Sequence, residues 1–112
     1  MAHPYARQRR VGDLIKREVA RLLHEEAQDP RFYLLSITGV QISKDYSHAQ
    51  IYISLIDDAN REDVIKALNK ASGFLRFRLS QSVKLRGTPQ LHFLFDETIE
   101  RVRRLEEFLE SD

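Results

Sequence analysis

Residues 35–56 read LSITGVQISKDYSHAQIYISLI, two strand patterns joined by a polar turn. In the second half Ala49, Ile51, Ile53 and Leu55 alternate with His48, Gln50, Tyr52 and Ser54. That period of two predicts a strand over about 48–56 with one buried and one wetter face. The first half, about 35–43, changes phase: Leu35 and Ile37 alternate in one register, Val40 and Ile42 in the other. One extra residue flips every side chain that follows, so a β-bulge at Gly39 is expected to return Val40 and Ile42 to the inner side. Lys44-Asp45-Tyr46-Ser47 supplies the turn of a β-hairpin. Tyr52, on the polar face, reads as a cross-strand packing partner rather than a base-stacking residue.

Upstream, Val11, Leu14, Ile15, Val19, Leu22 and Leu23 recur at helical spacing and predict an amphipathic helix over about 5–27, ended by Asp29-Pro30. Arg10, Arg17 and Arg21 fall on one solvent-facing flank beside its apolar stripe. Two uses compete for them. Arg17 with Asp13 and Arg21 with Glu25 match the i,i+4 spacing of surface ion pairs, and the same arginines suit an anionic partner.

Downstream, Asn60 suits an N-cap, and Glu62 and Asp63 complement the dipole of a helix starting near Arg61. Its inner stripe is Val64, Leu68, Ala71, Leu75 and Leu79, with Lys66, Lys70 and Gly73 on the opposite side. Phe74 and Phe77 fall outside the stripe, an unusual placement for apolar rings in a soluble monomer. A kink at Ala71-Ser72-Gly73 is therefore expected, followed by a second helix to about residue 86 with both rings turned inward. Gly87 then fits the C′ position, Pro89 an extended entry, and Gln90–Phe95 a third strand with Leu91, Phe93 and Phe95 on one face. Ile99, Val102, Leu105 and Leu109 suggest a short terminal helix rich in acidic residues. The order helix-strand-strand-helix-kink-helix-strand predicts an α+β domain over residues 1–98, a three-stranded sheet covered by helices on one face, with 99–112 as a short acidic helix or tail.

Composition narrows the class. With 112 residues, 42% hydrophobic, 31% charged and net charge +1, the chain has room for one globular core. It has no cysteine, which excludes disulfides and thiolate metal sites. No N-terminal apolar segment and no run near the roughly 18 apolar residues of a membrane span is present, so the cytoplasm is the expected compartment; the oligomeric state is open in the sequence, with a monomer preferred.

The near-zero net charge hides segregation. Between Val64 and Phe95 stand Lys66, Lys70, Arg76, Arg78, Lys84 and Arg86 and no acidic residue. A concentrated positive field attracts polyanions, because each cation near a phosphate releases a condensed counterion. These six, with Arg7, Arg9, Arg10, Arg17 and Arg21, are the candidate RNA contacts; Ser72 and Gly73 join them where a backbone without a Cβ admits a phosphodiester. Catalysis would need convergent titratable groups, whereas His3, His24, His48 and His92 are scattered along the chain. Asp57-Asp58 and Glu62-Asp63 flank an N-cap and read as dipole-complementing surface residues. No phosphate-binding Gly-rich loop occurs. No catalytic residue, metal ligand, cofactor or small-molecule substrate is expected. Beside the enzyme, a third class is a protein-binding adaptor using the acidic terminal helix and the sheet's uncovered face, and it would resist salt where an RNA binder would not.

Arg7 to Val11, Asp29-Pro30-Arg31, Val40-x-Ile42-Ser43-Lys44-Asp45-x-x-x-Ala49, Ala71-Ser72-Gly73-Phe74-Leu75-Arg76 and Leu85-Arg86-x-x-Pro89-x-Leu91-x-Phe93-x-x-Asp96 occur in that order over about residues 7–98. The ordered set resembles the bacterial ribosome-binding factor A family. The resemblance implies a type II KH-like fold in which an interrupted A-x-G helix kink, here Ala71-Ser72-Gly73, replaces the G-x-x-G loop of ordinary KH domains. No G-x-x-G stands in this chain. It also implies binding to the small (30S) ribosomal subunit or its precursor, a part in late maturation and processing of 16S rRNA, and importance for adaptation to cold. Without the G-x-x-G loop, a grip on four nucleotides of single strand gives way to a broad basic surface that recognises shape. A general KH-like single-stranded RNA binder stays open beside the adaptor.

Overall fold

The computed structural model describes residues 6–56, 60–97, 103 and 105–109. Asp57 and Asp58, like Ile99 and Val102 of the expected terminal helix, lie outside them. Helix α1 spans Ala6–Glu25, strands β1 and β2 span Leu35–Ile42 and His48–Leu55, helix α2 spans Arg61–Ser82, and β3 spans Gln90–Phe95. Residues 103 and 105–109 are helical. The sheet order is β1-β2-β3, with β1 antiparallel and β3 parallel to β2. A parallel neighbour needs a long crossover, which α2 supplies.

The hairpin carries the expected bulge. Ile37 pairs with Ile53, but Gly39 pairs with Tyr52, leaving Thr38 as the extra residue. Val40 then faces Ile51 and Ile42 faces Ala49, so the apolar side chains on both sides of the bulge contribute to one core. In the turn, Asp45 accepts hydrogen bonds from the Ser47 backbone N–H at 3.1 Å, the Ser47 hydroxyl at 2.6 Å and the Ser43 hydroxyl at 2.8 Å. These donors hold its carboxyl down at about 2. Tyr52 is fully buried although it alternates away from the core, and its hydroxyl donates to Gln50 at 2.8 Å. It is a packing residue, on a face drier there than alternation alone suggests.

Both helices bury their stripes against the same side of the sheet, α1 over β1 and α2 over β3. Ile15, Val19, Leu22 and Leu23 meet Leu68, Leu75 and Leu79 above Ala49, Ile51, Ile53, Leu91 and Phe93. Full burial of such a side chain stabilises by about 1.5–3 kcal/mol. Gly12 lets α1 approach closely, since a Cβ there would stand 3.0 Å from the Val40 carbonyl oxygen. The buried Gln8 amide donates to the carbonyls of Ile42 and Ser43 at 3.4 and 3.2 Å, pinning the start of α1 to the end of β1.

Three findings add to or correct the sequence expectations. First, residues 30–34, to which the sequence pattern assigned no element, form a 3-10 helix: Asp29 accepts from the Arg31 backbone N–H at 3.0 Å and caps the helix over Pro30–Leu34. Its Phe32 joins the core. Second, α2 is one helix through Ala71, Ser72 and Gly73, not two. Val64, Leu68, Leu75 and Leu79 are all buried, a single phase that holds both halves in register, so Phe74 and Phe77 stay exposed instead of turning inward. Third, α2 ends at Ser82, not near residue 86, and Gly87 is not its C′ residue. Val83 leaves the helix with φ −126° and ψ 128° to bury its side chain, while its N–H still donates to Leu79 at 3.0 Å. Arg76 donates from Nε and Nη2 to the Thr88 carbonyl at 3.1 and 2.9 Å, holding the 83–89 segment back along the helix. Asn60 is the N-cap residue as expected, but its side chain makes no capping bond.

Candidate nucleic-acid interface

Because α1 and α2 cover one face of the sheet and touch each other, their outward sides both belong to the solvent side of the helical layer. On α1, Arg10 and Arg17 project opposite the buried stripe and are exposed, with Arg7 and Arg9 exposed in the first turn. Among the described residues none of these four forms an ion pair, and the i,i+4 pair of Arg17 with Asp13 does not form. Arg21 differs. Its guanidinium is held by Glu18 and, at 2.9 Å, by Glu25. The hydrogen bond from Arg21 holds the Glu18 carboxyl below its usual range, and the two carboxylates push the Arg21 value up. The surface-ion-pair reading of the sequence applies to Arg21, whose charge is compensated locally.

On α2, Lys66, Lys70 and Gly73 point outward, and nothing lies within 4 Å of where a Cβ on Gly73 would stand. Both lysines are exposed and carry no ion pair among the described residues. The Ser72 hydroxyl donates to the Asn69 carbonyl at 2.7 Å and so is used by the helix itself. Arg76 is exposed, and its partner, the Thr88 carbonyl, brings no negative charge to offset the guanidinium. The charge of Arg78 is offset: its Nε and Nη2 donate to the two carboxylate oxygens of Glu26 at 3.2 and 2.5 Å, and Nη1 donates to Gln81 at 2.7 Å. The bond from Arg78 lowers the Glu26 pKa. This pair fastens α2 to the end of α1 across 52 residues of sequence. Lys84 and Arg86 stand exposed in the segment that leads to β3. At the start of α2, Arg61 pairs with Glu97 and lies over the Phe95 ring, 4.1 Å from its centroid.

The thirteen expected contacts therefore divide. Arg7, Arg9, Arg10, Arg17, Lys66, Lys70, Lys84 and Arg86 are open cations, Gly73 is an open patch of backbone, Arg76 is a cation with a structural duty, and Arg21, Arg78 and Ser72 are engaged within the fold. Pattern reading missed two arrangements. One is the exposure of Phe74 and Phe77, at 45% and 60%. The other is a histidine pair: His48 Nδ1 and His92 Nε2 stand 2.9 Å apart on β2 and β3. His48 pairs with Gln90 and Gln50 with His92 in the parallel register, which brings the two rings together although 44 residues separate them. Burial, then repulsion from His48, lowers the His92 pKa. Among the described residues no group of three or more potential metal ligands forms, and no helix is long and apolar enough to cross a membrane.

A family model described as ribosome-binding factor A matches residues 7–109. A ribosome-binding factor A of Pseudomonas fluorescens is 45% identical over 98% of this chain and 85% of its own length. The crystal structure of ribosome-binding factor A from Thermus thermophilus superposes with a TM-score of 0.70 at 30% identity, covering 78% of this chain and 93% of that one. A Thermus thermophilus ribosome binding factor A homology model, fitted into a cryo-EM map of a 30S complex, matches at TM-score 0.63 and 28% identity over 77% and 92% of the two chains.

Proposed function

The chain belongs to the ribosome-binding factor A family, and from that membership we propose that it binds the small ribosomal subunit or its precursor through the cationic solvent side of its helical layer. The observation that carries this reading is the set of exposed cations on two packed helices that form no ion pair among the described residues, Arg10 and Arg17 on α1 with Lys66 and Lys70 on α2. Exposed cations on one layer can face several phosphates of folded RNA at once, and their counterion release supplies affinity without reading base sequence. Specificity then comes from the shape of the particle. The 30S complex into which the Thermus relative was fitted supports the same partner here.

In this reading the protein acts by holding 16S rRNA in one arrangement late in maturation. A binder shifts such an equilibrium only by its differential affinity for the two RNA states. Alternative pairings are harder to escape at low temperature, so the need is greatest in the cold. Binding is assigned to the KH-like part, residues 1–98, and not to the acidic 99–112. The protein works as a cytoplasmic monomer without catalysis, cofactor or small-molecule substrate.

Co-sedimentation with purified small subunits tests this. Lys66→Glu combined with Lys70→Glu is the informative variant, because Arg76 also holds the 83–89 segment. Affinity is expected to fall tenfold or more, about 1.4 kcal/mol, with the unfolding midpoint unchanged. Full retention of binding, or complexes that survive high salt, would overturn the reading in favour of a protein-docking adaptor.

A further inference from the structure

The outward side of α2 bears two phenyl rings where an amphipathic helix ordinarily carries polar residues. Lys66, Lys70 and Phe74 follow one another at i,i+4 spacing, and Phe77 follows Gly73 at the same spacing, so cations and rings share one side. Phe74 and Lys70 also line a groove of about 440 Å³ between α2 and the end of α1, with Ala71, Glu26, Asp29 and Arg31 among its walls. Both carboxylates in that groove are engaged. Glu26 is held by Arg78, and Asp29 by Arg31 at 2.7 Å. Among the described residues Lys70 has no carboxylate partner.

An exposed aromatic face beside an uncompensated lysine, over a groove whose acids are neutralised, is complementary to a nucleotide with its base unstacked. The ring takes the base, and the ammonium takes the phosphate. Base-paired RNA keeps its bases stacked inside the duplex and offers the rings nothing. Gly73 adds a stretch of α2 with no side chain to obstruct the strand. A purely apolar protein partner would leave Lys66 and Lys70 desolvated without an anion, which disfavours it.

We propose that Phe74 and Phe77 form a stacking platform for unpaired RNA bases, with Lys66 and Lys70 gripping the adjoining phosphates. This rests on the RNA-binding reading of the same surface and adds to it a preference for single-stranded segments over duplex.

The test uses the full chain, a labelled oligoadenylate of about twelve nucleotides, within the range a small single-strand site spans, and an RNA duplex of equal length. Phe77→Leu keeps apolar bulk at an exposed position. It is expected to lower affinity for oligoadenylate roughly fivefold or more, with duplex affinity within about twofold and the unfolding midpoint unchanged. Phe77→Trp introduces a unique tryptophan into a chain that has none. Its fluorescence is expected to be quenched by oligoadenylate and not by the duplex. Unchanged oligoadenylate affinity in Phe77→Leu, or tryptophan emission indifferent to the single strand, overturns the platform. Lys66→Gln with Lys70→Gln then separates the failures. Loss of affinity for both RNAs leaves the phosphate-binding surface standing, whereas no loss removes it as well.

Discussion

The two helices present the same kind of face to the core and different kinds of face to solvent. α1 mixes signs: Arg21 is clamped between Glu18 and Glu25, and Asp13 interrupts the arginine flank. α2 from Val64 onward has no acid at all, and its outer side combines unpaired lysines, a bare glycine and two exposed rings. Burying a stripe constrains only the inward positions, so the outward ones are free to serve different ends. Compensated charges keep a surface solvated; uncompensated charges beside apolar rings prepare it for contact.

The largest difference is expected in the salt dependence of small-subunit binding. Lys66→Gln with Lys70→Gln should flatten the slope of log affinity against log salt by about 1.4–1.8, that is, by two lost phosphate contacts. Neutralising the α1 fork, Glu18→Gln with Arg21→Gln and Glu25→Gln, should leave the slope unchanged. Equal slopes for the two variants would erase the distinction between the helices.

The glycines sharpen the comparison at the level of stability. Gly12→Ala drives a methyl against the Val40 carbonyl, in a strand paired with β2 and tied at its end to Gln8. Overpacking against backbone outweighs the gain in helix propensity, and a net loss of about 1 kcal/mol is expected in denaturant unfolding. Gly73→Ala meets open space and should stabilise by about 0.5–1 kcal/mol. If Gly73 also gives RNA close access to the backbone, that stabler variant binds the subunit more weakly.

The smallest effect concerns the tie between the helices. The folded-state pKa of Glu26 is depressed by Arg78, so its contribution is complete above the unfolded value near 4.5 and is lost as pH falls through the lower folded one. Melting temperature should therefore fall less below pH 4.5 in Glu26→Gln than in the parent chain. A parallel decline in both would show that the pair adds nothing.

Local rules read the hairpin well. The phase change at Gly39 carries its own remedy, because only an extra residue reconciles Leu35 and Ile37 with Val40 and Ile42. The same holds for α1 and β3, whose apolar periods are unambiguous. Reading failed at Phe74 and Phe77, where the rule that rings go inward competed with the unbroken stripe Val64, Leu68, Leu75 and Leu79. Four buried anchors at helical spacing outweigh two rings, and the rings were left outside. The pairing of Arg78 with Glu26 and the meeting of His48 with His92 had no local signal, since each joins residues more than forty positions apart.

Sequence alone thus determined α1, the three strands, the stripe that each helix buries and the segment where positive charge accumulates, because side-chain period and composition are properties of neighbours along the chain. Only the tertiary structure decided which cations remain free, which are spent on carboxylates of another element, and that two aromatic rings stand in solvent beside the free lysines. Those outcomes depend on distances between elements, and such distances exist only once the core has packed.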